Sequence, residues 1–370
     1  GEQRDPAWRY WSARAQRETA AAGAAGDKQR SQALTTLRQL SSELHFYGKL
    51  ASEDLGQPFA VQPRPLPLTP EEKSMAREHA GLARALRLIE LGLRGEGVRE
   101  WNFSLRGMTD RRLLAAADLA CEKEVWDRCI NTSDRTRNEI DLDQRFPMPF
   151  RDELVAQAKS IGLDPAYVYG LIHQESRFIA DARSSVGASG LMQIMPATAR
   201  WTARKIGLPF TDQQIADRNT NLKIGTAYLK LVLDDFDGSQ AMAAAAYNAG
   251  PSRPRRWREG ATLEPAIWAE NIPFAETRDY VKKVLSNATV YASLLAGKKQ
   301  SAAALPAPPA LPSVPEAAAS GAASGAAPAV DAPAPPPPPP PLLLPSLKAR
   351  LGAPIGPRDL AAAPPDKELP

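Results

Sequence analysis

The chain holds only two cysteines in 370 residues, Cys121 and Cys129, and no histidine cluster lies near them, which argues against a structural zinc site. On one straight helix their spacing would set them roughly 12 Å apart, out of disulfide reach; a hairpin at Glu122-Lys123-Glu124 would bring them together in an oxidising compartment. Both arrangements stay open. No window approaches the roughly 18 consecutive apolar residues of a membrane helix, and no charged-then-apolar leader opens the chain. The first residue is Gly1 rather than Met, and the expectation is a processed or truncated product from which a leader, and an upstream domain, have been cut away. Charge of one sign is also scarce: the formal net charge is +4, a mild bias that suits an anionic cell wall and nucleic acid equally and decides nothing. No metal or nucleotide motif is present, so no cofactor is expected.

What the sequence does have is helical periodicity interrupted by proline. In residues 1–60, Trp8, Trp11 and Ala15 form one apolar stripe and Leu34, Leu37, Leu40 and Leu44 another, the pattern of paired solenoid helices. Pro63, Pro65 and Pro67 break the chain. Thr69-Pro70-Glu71-Glu72 then opens a new unit with an N-cap, a first-position proline and acids at the positive end of the helix dipole. Helices are expected over Leu82–Leu93, Asp110–Ala120 and Trp126–Thr132. Further on, Leu222, Gly225, Leu229, Val232 and Phe236 predict a long amphipathic helix, Met242 to Tyr247 a shorter one, and Val281, Val284, Leu285, Ala288 and Leu295 the last. Folding is expected to stop near residue 297. Beyond residue 300 alanine and proline dominate, with an unbroken run from Pro335 to Pro341, and the reading is a disordered tail with polyproline II character.

The stretch that organises the rest is Tyr167 to Ser176. Asp164 and Pro165 mark a helix start, and Val168, Leu171, Ile172 and Glu175 then fall on one face. A carboxyl set among apolar groups has a raised pKa and stays protonated near neutrality, as a general acid requires. On position alone an Arg-paired structural glutamate fits as well.

Downstream come Glu175-Ser-Arg-Phe, then Ser184 through Gly190-Leu-Met-Gln-Ile-Met195-Pro, Ala246-Tyr-Asn-Ala-Gly250 and Glu276-Thr-Arg-Asp-Tyr280. These four blocks in this order resemble the catalytic domain of the soluble lytic transglycosylases across Met148 to Leu295. The resemblance implies an all-α, lysozyme-like catalytic domain at 147–297, preceded by a helical linker domain at 66–146 and the end of an α-superhelical domain at 1–60, and followed by the disordered tail at 300–370. It implies cleavage of the β-1,4 bond between N-acetylmuramic acid and N-acetylglucosamine in peptidoglycan, hence a periplasmic enzyme whose partner is the glycan strand, with no role for nucleic acid.

Ordinary glycosidases place two carboxylates across the bond they cut. Here Glu175 alone is well placed, since Asp181, Glu264, Glu270 and Glu276 lie in loops or at helix starts where capping accounts for them. The resemblance turns that lack into a mechanism in which Glu175 is acid and then base and the product is a 1,6-anhydro sugar. It assigns Tyr280 to orient Glu175, Ser184 to bond it, Gly190 to shape the cleft floor, Gln193 and Met195 to line it, Tyr247 and Asn248 to contact sugar, and Glu276 to hold the peptide or muramyl group. Ser185 stands where the family usually has proline. The competing readings are a goose-type lysozyme-like hydrolase and a non-catalytic wall-binding scaffold.

Overall fold

The computed structural model describes residues 4–303 and 341–358. Eighteen α-helices form among them, and no strand, only isolated antiparallel bridges. In order they are α1 Pro6–Thr19, α2 Ala24–Leu40, α3 Phe46–Asp54, α4 Pro70–Glu78, α5 Ala80–Glu90, α6 Arg94–Ser104, α7 Asp110–Glu122, α8 Trp126–Ser133 and α9 Leu142–Arg145. There follow α10 Arg151–Ser160, α11 Pro165–Glu175, α12 Pro196–Lys205, α13 Arg218–Asp235, α14 Gln240–Ala249, α15 Ser252–Trp257, α16 Pro265–Glu270, α17 Ala275–Ala303 and α18 Leu347–Leu351.

Two cores hold these helices. The smaller one joins Leu82, Ala85, Trp101, Leu113, Leu119 and Cys129. Trp101 lies at its centre and satisfies its indole N–H on Thr132 Oγ1 at 2.8 Å, as a buried polar handle must. The start of α4 is the capping box read from the sequence, with Thr69 and Glu72 each bonding the other's backbone N–H. α7 and α8 form a hairpin turning at Lys123-Glu124, and Cys121 and Cys129 are disulfide-bonded with their Cα atoms 5.0 Å apart. Of the two cysteine arrangements, the hairpin is the one that forms. The helix expected to reach Leu93 ends at Glu90, and a helix not foreseen, α6, packs back on α5.

The larger core is continuous from Tyr10 to Ile355 and includes α1–α3, α10–α17 and α18. In α1 the buried side chains are Tyr10 and Ala13, whereas Trp8 is 62 % exposed and Ala15 lies in solvent. The tryptophan stripe is therefore not the packing face; the helix is rotated so that Tyr10 donates to Asp54 of α3 and Trp11 donates to Glu270 of α16. The stripe on α2 does pack, through Leu37 and Leu40. Arg14 binds both carboxylate oxygens of Glu264, at 3.0 and 2.7 Å. Glu264 and Glu270 thus tie α1 to α16; Glu264 occupies the N-cap position of α16 but makes no capping bond with its side chain, which is spent on Arg14.

α11 crosses α17 so closely that a Cβ on Gly170 would sit 2.6 Å from the Val284 carbonyl. Only glycine permits that approach. Every residue from Ala166 to His173 is buried, so α11 is apolar on all sides and not on the one face its spacing suggests.

The expectation that residues 300–370 bury nothing is overturned for residues 341–358. Leu344, Leu347, Leu351 and Ile355 are each at most 4 % exposed, bridges pair Ala60 with Leu343 and Leu263 with Ile355, and Glu53 accepts from Leu347 N, Lys348 N and the Ser346 hydroxyl. Leucines three and four apart supply an apolar face that the surrounding proline and alanine conceal. The proline run up to residue 340 lies outside the described residues.

Candidate active site

Glu175 is the last residue of α11, where the helix gives way to two successive left-handed residues, Arg177 and Phe178, with φ of 49° and 66°. That turn carries the chain away and leaves the carboxylate half-buried at the edge of the core. Burial pushes its pKa up to about 8, a bond from Tyr280 pulls it down, and the field of Glu276 adds to the rise. Tyr280 stands 5 % exposed on α17 and donates its hydroxyl to Glu175 Oε1 at 2.5 Å. Burial first, then the carboxylate beside it, drive the Tyr280 pKa well above 10, so the phenol remains a donor across the working range of pH.

The loop between α11 and α12 folds through single bridges, Arg183 to Ser189 and Ser189 to Ile194. Its organiser is Asn221, 1 % exposed on α13. The Asn221 side chain accepts from Met192 N at 2.9 Å and donates to Ser189 O at 2.9 Å and Ile215 O at 2.8 Å. Gly190, at φ 78°, lies against that amide, where a Cβ would fall 2.3 Å from Asn221 Nδ2. Gly190 therefore shapes the floor by admitting Asn221. The sequence offered a signal for it: an asparagine directly beside Leu222 on the buried stripe of a long helix needs internal partners.

Gln193 adopts φ 46° and spends its amide N–H groups on Ala182 O and Gly190 O, which fixes its side chain against the loop. Met195 precedes α12 and is 41 % exposed. Tyr247 donates to Met192 O at 2.8 Å, and its pKa is raised well above 10 by burial and next by the field of Glu175. Asn248, one residue before the end of α14, accepts from the Thr277 hydroxyl at 2.6 Å; it is held by α17 and does not act as the helix cap, which is Gly250. Glu276 is exposed at the start of α17. Thr277, within the block quoted for Tyr280, went unassigned in the sequence and proves to fix Asn248.

Ser184 is the residue placed differently from expectation. Its hydroxyl accepts from Ala188 N at 2.9 Å inside its own turn, and no bond to Glu175 forms. With Ser185 in the usual proline position, the turn closes on itself through Ser184 N to Ala188 O and Gly187 N to Ser184 O. Asp181 is exposed and distant from any role on Glu175. His173, two residues before the acid, is buried against Tyr291, and burial lowers its pKa to about 3, so it stays neutral and structural.

A carboxylic acid held protonated at neutral pH, one phenol donor and a rim of amide groups suit proton delivery to a neutral, hydroxyl-rich substrate. Among the described residues no cluster of side chains suits a metal ion. Comparison with known proteins agrees with this chemistry. Residues 154–266 match the family model described as Transglycosylase SLT domain, and residues 271–300 match Soluble lytic transglycosylase helical domain. The soluble lytic murein transglycosylase of Escherichia coli K12 is 29 % identical over 79 % of this chain and 44 % of its own length. The X-ray structure of an inactive mutant of lytic transglycosylase Slt from Pseudomonas aeruginosa superposes with a TM-score of 0.69 at 36 % identity, over 80 % of this chain and 47 % of that one. The 70 kDa soluble lytic transglycosylase of E. coli superposes with a TM-score of 0.66 at 28 % identity, and it has also been solved in complex with bulgecin A. The chain spans less than half the length of these relatives. With Glu175, Gln193, Tyr247 and Asn248 all inside the matched SLT segment and Tyr280 beside it, the chain is homologous to the soluble lytic murein transglycosylases.

Proposed function

We propose that the chain is a peptidoglycan lytic transglycosylase that cuts the β-1,4 bond between N-acetylmuramic acid and N-acetylglucosamine and leaves a 1,6-anhydro-muramyl end. The observation that carries this reading is the raised-pKa carboxyl of Glu175, bonded by Tyr280, while the carboxylate whose field reaches it, Glu276, lies exposed at the start of α17.

In the first half, Glu175 gives its proton to the glycosidic oxygen as the bond from that oxygen to the muramyl C1 breaks, and the substrate's own N-acetyl oxygen bonds to C1. In the second, the Glu175 carboxylate takes the proton of the C6 hydroxyl while O6 bonds to C1 and expels the N-acetyl oxygen. Glu175 ends protonated, and water is not consumed. Tyr280 steadies the carboxylate in the interval when it is charged. Gln193, Met195, Tyr247 and Asn248 line the sugar path, Gly190 sets its floor, and Glu276 faces the muramyl substituents.

The relatives' names place murein as their substrate, and from this we infer the periplasm as the working compartment. The disulfide fits an oxidising location, and no helix among the described residues is long and apolar enough to cross a membrane. Residues 1–60 are read as the end of the superhelical domain, 66–146 as the linker and 147–297 as the catalytic domain. The test is digestion of purified sacculi with mass analysis of the products. Anhydro ends, lighter than reducing ends by one water, are expected; reducing ends would make the chain a hydrolase, and no release at all would leave it a wall-binding scaffold.

A further inference from the structure

We propose that Arg350, in the segment 341–358, is a positioning residue that sets the register between the helix carrying the catalytic acid and the helix carrying the sugar contacts. Its guanidinium donates to Asp164 Oδ2 at 2.7 Å and to Gln240 Oε1 at 2.9 Å. Asp164 is the N-cap of α11, its other oxygen accepting from Ala166 N at 2.9 Å, and Gln240 is the first residue of α14. One planar cation thus joins the beginnings of two helices. α11 then runs to Glu175, and α14 runs to Tyr247 and Asn248.

The lengths make this clamp consequential. α11 has 11 residues and α14 has 10, so both are rigid rods of roughly 15 Å that start at Arg350 and finish at the cleft. They pack mainly on α17 and little on each other, and among the described residues the polar ties between their starting ends are Arg350 and the bond from Tyr167 Oη to the Gln240 carbonyl at 2.9 Å. A slip of one rod along its axis at the start would be carried undiminished to the reacting end.

Arg350 is itself fixed. Its side chain is 11 % exposed, and the segment bearing it is anchored on both sides. Before it, Val61 N donates to Leu342 O and Leu344 N to Phe59 O; Lys348 pairs with Asp54. After it, Leu263 and Ile355 exchange two backbone bonds at 2.8 Å, and Arg258 holds the Gly356 carbonyl. Both bonds leave one nitrogen, Nη1, whose two hydrogens lie in the guanidinium plane and so have fixed directions, unlike those of a freely rotating lysine ammonium.

This inference rests on the function proposed above, and its test has a readout independent of turnover. In the full chain, Arg350→Ala is expected to lower kcat on glycan strands about tenfold with KM within twofold, since displacements of an ångström at a reacting centre cost that much or more. Millimolar guanidinium should restore most of the loss by filling the vacated site, and Arg350→Lys should fall between parent and Arg350→Ala. Hydrogen exchange at the first turns of α11 and α14 should quicken together in Arg350→Ala whether or not the chain proves lytic. A folded Arg350→Ala with kcat within twofold of the parent, or exchange that quickens only within residues 341–358, would overturn the proposal. Should Arg350→Ala fail to fold, Gln240→Ala, which removes one of the two bonds, takes its place; an unchanged kcat and unchanged exchange at α11 would overturn it equally.

Discussion

Replacing Glu175 by glutamine should abolish lysis and at the same time make the protein more stable at neutral pH. The amide is isosteric, its carbonyl oxygen still accepts from Tyr280, and it has no proton to give. The stability effect follows from linkage. In the folded chain the Glu175 pKa lies near 8 against 4.5 for an unperturbed carboxyl, so between those values the unfolded chain is ionised while the folded one holds a proton. Folded-state stability therefore falls as pH rises through that window, by about 1.4 kcal/mol per pH unit. At pH 7 the cumulative cost is about 3 kcal/mol, a large share of the 5–15 kcal/mol typical of a domain. Glu175→Gln does not titrate and escapes it. Urea unfolding of parent and variant at pH 4.5, 6, 7 and 8 should show curves that coincide at the acid end and diverge steadily, the variant being the more stable. Parallel curves would show that Glu175 is ionised at neutrality and would refute its role as the acid, as would substantial turnover of sacculi by the variant.

Tyr280→Phe removes the donor that favours the ionised form, so the Glu175 pKa should climb above 8 and the limb of the rate profile that reports it should move upward, with glycan affinity held; an unmoved profile with weakened affinity would reduce Tyr280 to a cleft wall. Asn221→Ala strips the partners from Met192 N, Ser189 O and Ile215 O, and should destabilise by about 3 kcal/mol and raise KM through a loosened Gln193 loop, read by unfolding and initial rates. Lys49 is fully buried on Ser286, and burial first, with the nearby Arg350 charge second, brings its pKa down to about 7. Because the unfolded lysine keeps its proton to about pH 10.4, this residue makes stability rise from pH 7 upward, and Lys49→Met should flatten that rise and stabilise the chain at pH 6; an unchanged slope would count against it. Reduction of Cys121–Cys129 should cost about 2–3 kcal/mol, with hydrogen exchange quickening first in α7 and α8, the helices that the disulfide joins.

Much of this site is legible in the sequence because its signals are local. Asp164-Pro165 fixes where α11 begins, and the count from there puts Glu175 in register with the apolar residues Val168, Leu171 and Ile172. Contacts decided by competition between partners are not legible in that way. Ser184 has a choice of Ala188 N–H or a carboxylate, and the turn around Gly187 settles it; Glu264 and Glu270 read as caps until α1 comes back to meet them. The all-round burial of α11 follows from its crossing with α17, which a stripe on one face does not announce. Composition hid the rest. Leu344, Leu347 and Leu351 follow a long proline and alanine stretch that reads as tail, although their spacing is that of a packed helical turn.

The segment 341–358 also has a kinetic consequence. It pairs with residues 59–61 and 263, so the larger core contains loop closures of nearly three hundred residues, the kind of contact that forms late because the chain entropy it costs must be met before any packing rewards it. A ribosome-bound chain that has not yet released residue 341 can build α4–α8 around their own core but lacks the Arg350 tie between α11 and α14. The site would then be assembled last, and the activity proposed for it would be withheld from chains still being synthesised by the order in which their parts become available.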